Sequence, residues 1–369
     1  MPKPAARTAT ASPPTVDADA HVNENPFAWV DVEKHHPGWL GVTRSGGHDV
    51  LEIEGRPYPQ QVGRGSGVPV DAAVNPAAAA GAGDVSTRIA DMDAEGIDIQ
   101  VLYGGLIIGA TGLTDPGLAA DVCTFYNTWL LDEICAHDPA RLKAVAAVPL
   151  QDPARAIVEL ERAVGAGAVG VTIPPALGDL NLDDDSLLPF FEAATGLDTA
   201  VAVHGAPGMH IPLPAAGRFD NYAQVHTLSF PCDQMVAFTA LAMGGVFDHL
   251  PDLRVAFLES GIGWVPFFVG RMDEHHRKQR DLLPDMACSA SELIERGQCY
   301  FSFECEEALL EPYVEHLGSA SLVFASDYPH WDGEFPGAVD EARERTAPFG
   351  DAVTAAAMGG NALRLYGLS

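Results

Sequence analysis

The chain has 369 residues, 47% of them hydrophobic, and carries 21 Lys and Arg against 51 Asp and Glu, a formal net charge of −30. That balance excludes a nucleic-acid backbone or an anionic membrane surface as a partner, since both need clustered positive charge, and no apolar run approaches the roughly 20 residues of a membrane span. The six cysteines are scattered without a CxxC pair, which excludes a disulfide framework and a thiolate metal knuckle and points to reduced thiols in a cytoplasmic protein.

Residues 1–14 are rich in Ala, Pro, Ser and Thr and lack the apolar segment of a signal peptide, so a disordered tail is expected there, followed by one domain over 15–369. The first strand carries Asp17-Ala18-Asp19-Ala20-His21, and regular alternation puts Asp17, Asp19 and His21 on one face. Residues 22–83 hold many Gly and Pro with Phe27, Trp29, Trp39 and Tyr58, the composition of a long irregular, lid-like insertion. A helix is predicted over 84–95, with Asp84 as N-cap and Gly96 as its end. Strand 97–103 follows, then a helix opened by Asp115-Pro116 that runs to about residue 137. The alternation continues with strand 142–150, a helix from Asp152-Pro153 to near Gly165, strand 168–173, helix 186–195 and strand 199–204. Helix 224–247, strand 254–259, helix 264–280 and strands 300–304 and 322–327 complete it.

Eight apolar strands alternating with helices mean an α/β fold with a buried parallel sheet. The turn after the first strand, His21-Val22-Asn23-Glu24, has no Gly-rich phosphate cradle, so a closed (β/α)8 TIM barrel with a long insertion after the first strand is expected over an open nucleotide-binding sheet. Barrel active sites lie where strands end. The strands here end in Asp19 and His21 (first), His204 (fifth), Glu259 (sixth), Glu304 (seventh) and Asp327 (eighth). Asp19, His21, His204 and Asp327 are donors suited to one divalent metal ion.

The segments DADAHVNENPFAW, VAVHGAPG, GGVFDHLPDLRVAFLESGIGWVPFFVGRMDEHH, FASDYPHWDGEFPGA and GGNALRLYGL resemble the amidohydrolase superfamily. More narrowly, they resemble its branch related to aminocarboxymuconate-semialdehyde decarboxylase and γ-resorcylate decarboxylase. The resemblance implies a barrel with a mononuclear metal site and a homodimer or higher homo-oligomer. It maps Asp19 and His21 onto the first-strand ligands, His204 and Asp327 onto the other two, and Asp17 onto a supporting position. Further candidates are His330 at the pocket, Glu24 orienting a ligand, and His226 and Trp264 lining the cavity.

One departure sets the expected reaction. The decarboxylases of this branch carry a His at the sixth strand end, and this chain has Glu259. A Glu beside a metal-bound water suits a general base, so a metal-dependent hydrolase of a small amide, lactone or related carbonyl compound is expected, with Glu259 or Asp327 taking the proton and His330 nearby. Non-oxidative decarboxylation of an aromatic or muconate-like acid is the alternative, and hydration of a double bond is a variant on the same site. Zn2+ is the first expectation for the metal, with Mn2+ or Fe2+ compatible with the donor set.

Overall fold

The computed structural model describes residues 13–24, 30–45, 48–57, 75–205, 219, 221–284 and 286–368. The expected tail up to residue 12, the aromatics Phe27, Trp29 and Tyr58, and much of the insertion lie outside the described residues.

Strand β1 (Val16–Val22) opens an eight-stranded parallel sheet. Strands β2 (Leu40–Ser45), β3 (His48–Ile53) and β4 (Arg56–Pro57) form a separate three-stranded antiparallel sheet. The large sheet continues through β5 (Ile99–Gly104), β6 (Leu142–Ala147), β7 (Gly170–Ile173), β8 (Ala200–Val203), β9 (Val255–Phe257), β10 (Cys299–Phe303) and β11 (Leu322–Phe324) in chain order. The segment after β11 returns to β1: the Asp327 amide donates to the Asp19 carbonyl at 3.1 Å, and the His21 amide donates to the Tyr328 carbonyl at 2.6 Å. The expected (β/α)8 barrel is therefore the fold.

Helix starts follow their caps. Asp84, Asp115 and Asp152 each accept backbone hydrogen bonds at the N-termini of the helices Val85–Glu95, Pro116–Trp129 and Pro153–Gly165. The helix expected to reach residue 137 is α-helical only to Trp129 and then loosens into a π-turn, Leu130–Ile134, and a 3-10 turn, Cys135–His137. The helix expected to reach residue 247 spans Tyr222–Met243, because Gly245 takes a left-handed φ of 84°.

The stretch 22–83, expected to be irregular, contains a short helix (Val30–His35) and the β2–β4 sheet. Its strands pair antiparallel, Leu40 with Ile53 through to Ser45 with His48. Charged residues interrupt both strands, so they lack the apolar runs that mark the barrel strands.

A larger correction concerns β1. Asp17 pairs with Gln100 and Ala20 with Leu102, three residues against two, so the strand carries a bulge between Asp17 and Ala20. The extra residue reverses the alternation. Val16, Ala18 and Tyr103 pack in the barrel interior with Val145, Ala202, Ala256 and Val323, whereas Ala20 and Leu102 pack in the layer under the helices. Asp17 therefore does not share a face with Asp19 and His21.

Candidate metal centre and active site

Asp19 and His21 end the inner face of β1 and meet His204, which follows β8, and Asp327, which follows β11. His21 Nε2 lies 3.5 Å from Asp19 Oδ1 and 3.3 Å from Asp327 Oδ1. His204 Nε2 lies 3.6 Å from Asp19 Oδ2 and 3.2 Å from Glu259 Oε2. His330 Nδ1 contacts Asp327 Oδ1 at 2.8 Å, and its ring stacks on His21 with centroids 4.0 Å apart.

Both strand-end imidazoles are oriented from behind. His21 Nδ1 faces the Gly104 carbonyl at 3.3 Å and His204 Nδ1 faces the Gly205 carbonyl at 3.1 Å. A proton on each Nδ1 leaves each Nε2 lone pair directed into the site. Burial, reinforced by His330, lowers the pKa of His21 and so favours the neutral, ligating form.

Apart from the ion-pair contacts above, four buried atoms in this space make no hydrogen bond of good geometry: Asp19 Oδ1, His21 Nε2, His204 Nε2 and Asp327 Oδ1. Buried polar atoms are rarely left so. Donor atoms of Asp19, His21 and His204 all lie within 4.8 Å of one another, as do those of His21, Asp327 and His330. Two imidazoles and two carboxylates orphaned around one point fit a divalent cation.

Glu259 stands at the edge of this cluster, with backbone φ at 54°, and Asp327 has φ at 53°. Left-handed backbone at a non-glycine residue is strained and recurs at functional sites. Here it ends each strand and turns a carboxyl into the barrel mouth. Burial, then the carboxylates of Asp327, Asp19, Asp332 and Glu304, push the Glu259 pKa well above its ordinary value. Burial likewise pushes Glu304 up to about 8 and Asp332 up to about 6. For His330 burial acts downward, but Asp327 outweighs it and pushes the imidazole up to about 8. Asp327 is held well below the carboxylate range, because His330 and His21 outweigh its burial.

The other sequence candidates divide. Asp17 lies behind β1, accepting from Gln100 Nε2 at 3.1 Å, the Ser326 amide at 2.9 Å and Ser326 Oγ at 2.6 Å. Glu24 accepts from the amides of Leu106 and Ile107, both at 3.0 Å, and so fixes the turn after Gly104, whose carbonyl faces His21. His226 sits at the mouth, 3.6 Å from Asp332 and edge-on to Trp331. Trp264 is not at the site: it packs on Phe238, Phe268 and Phe301 under the helices, and its indole N–H donates to Ser260 Oγ. Sequence reading missed Tyr103, whose ring lies 5.5 Å from His204 and whose hydroxyl meets Tyr366 at 2.6 Å inside the barrel. It also missed Asp332 and the half-exposed Trp331 beside His330.

The amidohydrolase family model matches residues 16–368. The chain belongs to the amidohydrolase family. A 2-amino-3-carboxymuconate-6-semialdehyde decarboxylase from Dictyostelium discoideum is 29% identical over 77% of this chain and 77% of its own length. The solved structure of a Rhizobium 2,6-dihydroxybenzoate decarboxylase complexed with 2,6-dihydroxybenzoate is 27% identical, with a TM-score of 0.66 over 78% of this chain and 89% of that one. A dihydroxybenzoic acid decarboxylase from Polaromonas, with bound manganese and 2-nitroresorcinol, shares the fold at a TM-score of 0.71, 21% identity and coverage of 96% and 97%.

These relatives overturn the expectation of hydrolysis. The relatives described above, from a muconate-semialdehyde enzyme to the dihydroxybenzoate enzymes, are decarboxylases. In the metal-free site burial, then the surrounding acids, raise the Glu259 pKa, a direction that does not favour the ionised base the hydrolytic reading needs. No helix among the described residues is long and apolar enough to cross a membrane.

Proposed function

We propose that this amidohydrolase-family chain is a metal-dependent, non-oxidative decarboxylase of a small aromatic or muconate-like carboxylic acid. The observation that carries the reading is that two relatives named for different substrates, a muconate semialdehyde and a dihydroxybenzoate, are named for one reaction. The reaction transfers to this chain more readily than either substrate.

In that reaction the bond between the substrate carbon and its carboxylate breaks, carbon dioxide leaves, and the electron pair left behind takes up a proton. Glu259, kept as a neutral acid by burial and by the acids around it, delivers that proton from its carboxyl oxygen to the carbon. His330, cationic beside Asp327, offers positive charge to an anionic substrate in a mouth otherwise lined by acids. Asp19, His21, His204 and Asp327 would hold the divalent ion, which when bound would supply positive charge to anchor the substrate's oxygens and withdraw electrons. Its two carboxylates make the donor set harder than a three-His site, so Mn2+ is preferred here to Zn2+. Trp331 and His226 flank the entrance, where an unsaturated or aromatic ring would stack. The free cysteines suit a reducing, cytoplasmic setting, and a homo-oligomer is the expected assembly.

The test is to incubate the Mn2+-loaded protein with hydroxybenzoates, muconate-type acids, amides and lactones, and to measure carbon dioxide and hydrolysis products. Carbon dioxide from at least one acid, without hydrolysis, is expected. Hydrolysis of an amide or lactone with no carbon dioxide from any acid would overturn the reading.

A further inference from the structure

Gln234 lies in the helix Tyr222–Met243 and is fully buried. Its amide nitrogen donates to two carbonyls, those of Val203 and Leu258, each at 3.0 Å. These residues immediately precede His204 and Glu259.

The position matters because the ladder between β8 and β9 runs out there. Its last registered pair is Val203 with Phe257, and its last bond is from the Leu258 amide to the Val203 carbonyl at 3.2 Å. Beyond this point, among the described residues, no ladder bond joins the two strands, yet His204 Nε2 and Glu259 Oε2 meet at 3.2 Å. Gln234 spans the gap. The peptide unit between Leu258 and Glu259 is gripped at both ends, its carbonyl by Gln234 and its N–H by Ser302 Oγ at 3.0 Å. That grip holds the left-handed backbone of Glu259, and so the direction of its carboxyl. The Val203 carbonyl is shared between Gln234 and the Leu258 amide, and the next amide, that of His204, donates to the Ile173 carbonyl at 2.9 Å.

We propose that Gln234 is a positioning residue: by tying the ends of β8 and β9 it sets a metal ligand and the proton donor at their working separation, although it hydrogen-bonds neither side chain. The metal part of this stands on geometry, and the proton part rests on the decarboxylase reading.

The molecule contains its own control. Gln298, also buried, makes the same double donation, to the carbonyls of Phe247 and Leu250 at 3.0 Å each, but at the opposite end of the barrel, just before β10. Gln234→Met and Gln298→Met each remove one amide and leave two buried carbonyls without it, so both should lower the melting temperature. Only Gln234→Met should weaken Mn2+ binding, by about 10- to 100-fold, the usual cost of losing support behind a ligand. Free Mn2+ followed by electron paramagnetic resonance reads the affinity without any substrate, so that arm stands even if no acid is turned over. Equal Mn2+ affinities for Gln234→Met, Gln298→Met and the unmodified protein would overturn the proposal and leave Gln234 as glue. Should the Met variant not fold, Gln234→Asn keeps an amide too short to span both carbonyls. The same loss of affinity is expected from it, and unchanged affinity overturns the proposal equally.

Discussion

Asp17 and Asp19 stand two residues apart on one strand and face opposite sides of the sheet. The bulge between Asp17 and Ala20 turns Asp17 outward to Gln100 and Ser326 and leaves Asp19 inside with His21 and His204. Two acids that look equivalent in the sequence thus meet different chemistry, one a seam of hydrogen-bond donors and the other a cluster of orphaned metal donors.

Above the raised pKa of about 7, where Asp17 is ionised and only accepts, Asp17→Asn should cost about 1–3 kcal/mol of stability while leaving Mn2+ content intact. Gln100 cannot turn over to help, because its Oε1 accepts from Arg88 at 3.0 Å. The new amide must therefore point its NH2 either at the Gln100 NH2 or at the Ser326 amide, donor against donor. Urea unfolding and elemental analysis of the two proteins check both halves.

The same residue gives the metal-free protein a pH signature. Burial, outweighing the bonds from Ser326 and Gln100, pushes the Asp17 carboxyl up to about 7. The folded state then holds the proton more tightly than the unfolded state, so this contribution to stability is full below pH 4 and is lost as pH rises toward and through about 7. Melting temperatures of metal-free protein between pH 5 and 8 should show a fall, and Asp17→Asn should remove part of it, the rest coming from Glu304, Asp332 and Asp233, which burial shifts in the same direction.

His204→Ala should abolish stoichiometric Mn2+, measured by elemental analysis after dialysis. Full metal content in that variant would reject the four-residue ligand set.

Glu259→Gln should retain Mn2+ and lose carbon dioxide release by about 10²- to 10⁴-fold, the usual weight of a positioned acid. Because the protonated form acts, the unmodified enzyme should lose activity as pH rises above the raised Glu259 pKa, and Glu259→Gln should lack that limb. A pH–rate series on both proteins decides it.

Glu54→Ala should loosen the small β2–β4 sheet. Glu54 accepts from the Thr114 amide at 3.0 Å and its hydroxyl at 2.9 Å, and Arg56 beside it donates to the Gly112 carbonyl at 3.0 Å. These bonds fasten the insertion to the segment after β5. Faster tryptic cleavage within 30–57 is expected, with KM raised more than kcat is lowered if the insertion covers the mouth.

Much of the barrel was legible because its strands are continuous apolar runs and three of its helices begin at Asp84, Asp115-Pro116 and Asp152-Pro153, where the caps leave a mark in residue type. His204 and Asp327 stood out as polar residues closing apolar strands. The bulge in β1 left no such mark: Ala18 and Ala20 fit either face of a sheet, so a one-residue insertion between two acids is silent. Trp264 misled because an aromatic just after a strand end can turn into the mouth or under the helices, and Phe238 and Phe301, which with the neighbouring Phe268 receive it, come from distant segments. Glu259 misled for a related reason, since the acids that keep it protonated come from β1, the end of β10 and the loop after β11.

The joining of Asp327 to Asp19, and of Ser326 to Asp17 across 309 residues of chain, has a consequence for synthesis. A growing polypeptide displays Asp19 and His21 long before their partner carboxylate, Asp327, is made. Until Asp327 is in place the chain offers at most three of the four donors and no closed barrel, so premature capture of a cation is weak and reversible. Completion of the final strand shuts the cylinder and completes the coordination set in one event, and a truncated product forfeits both together.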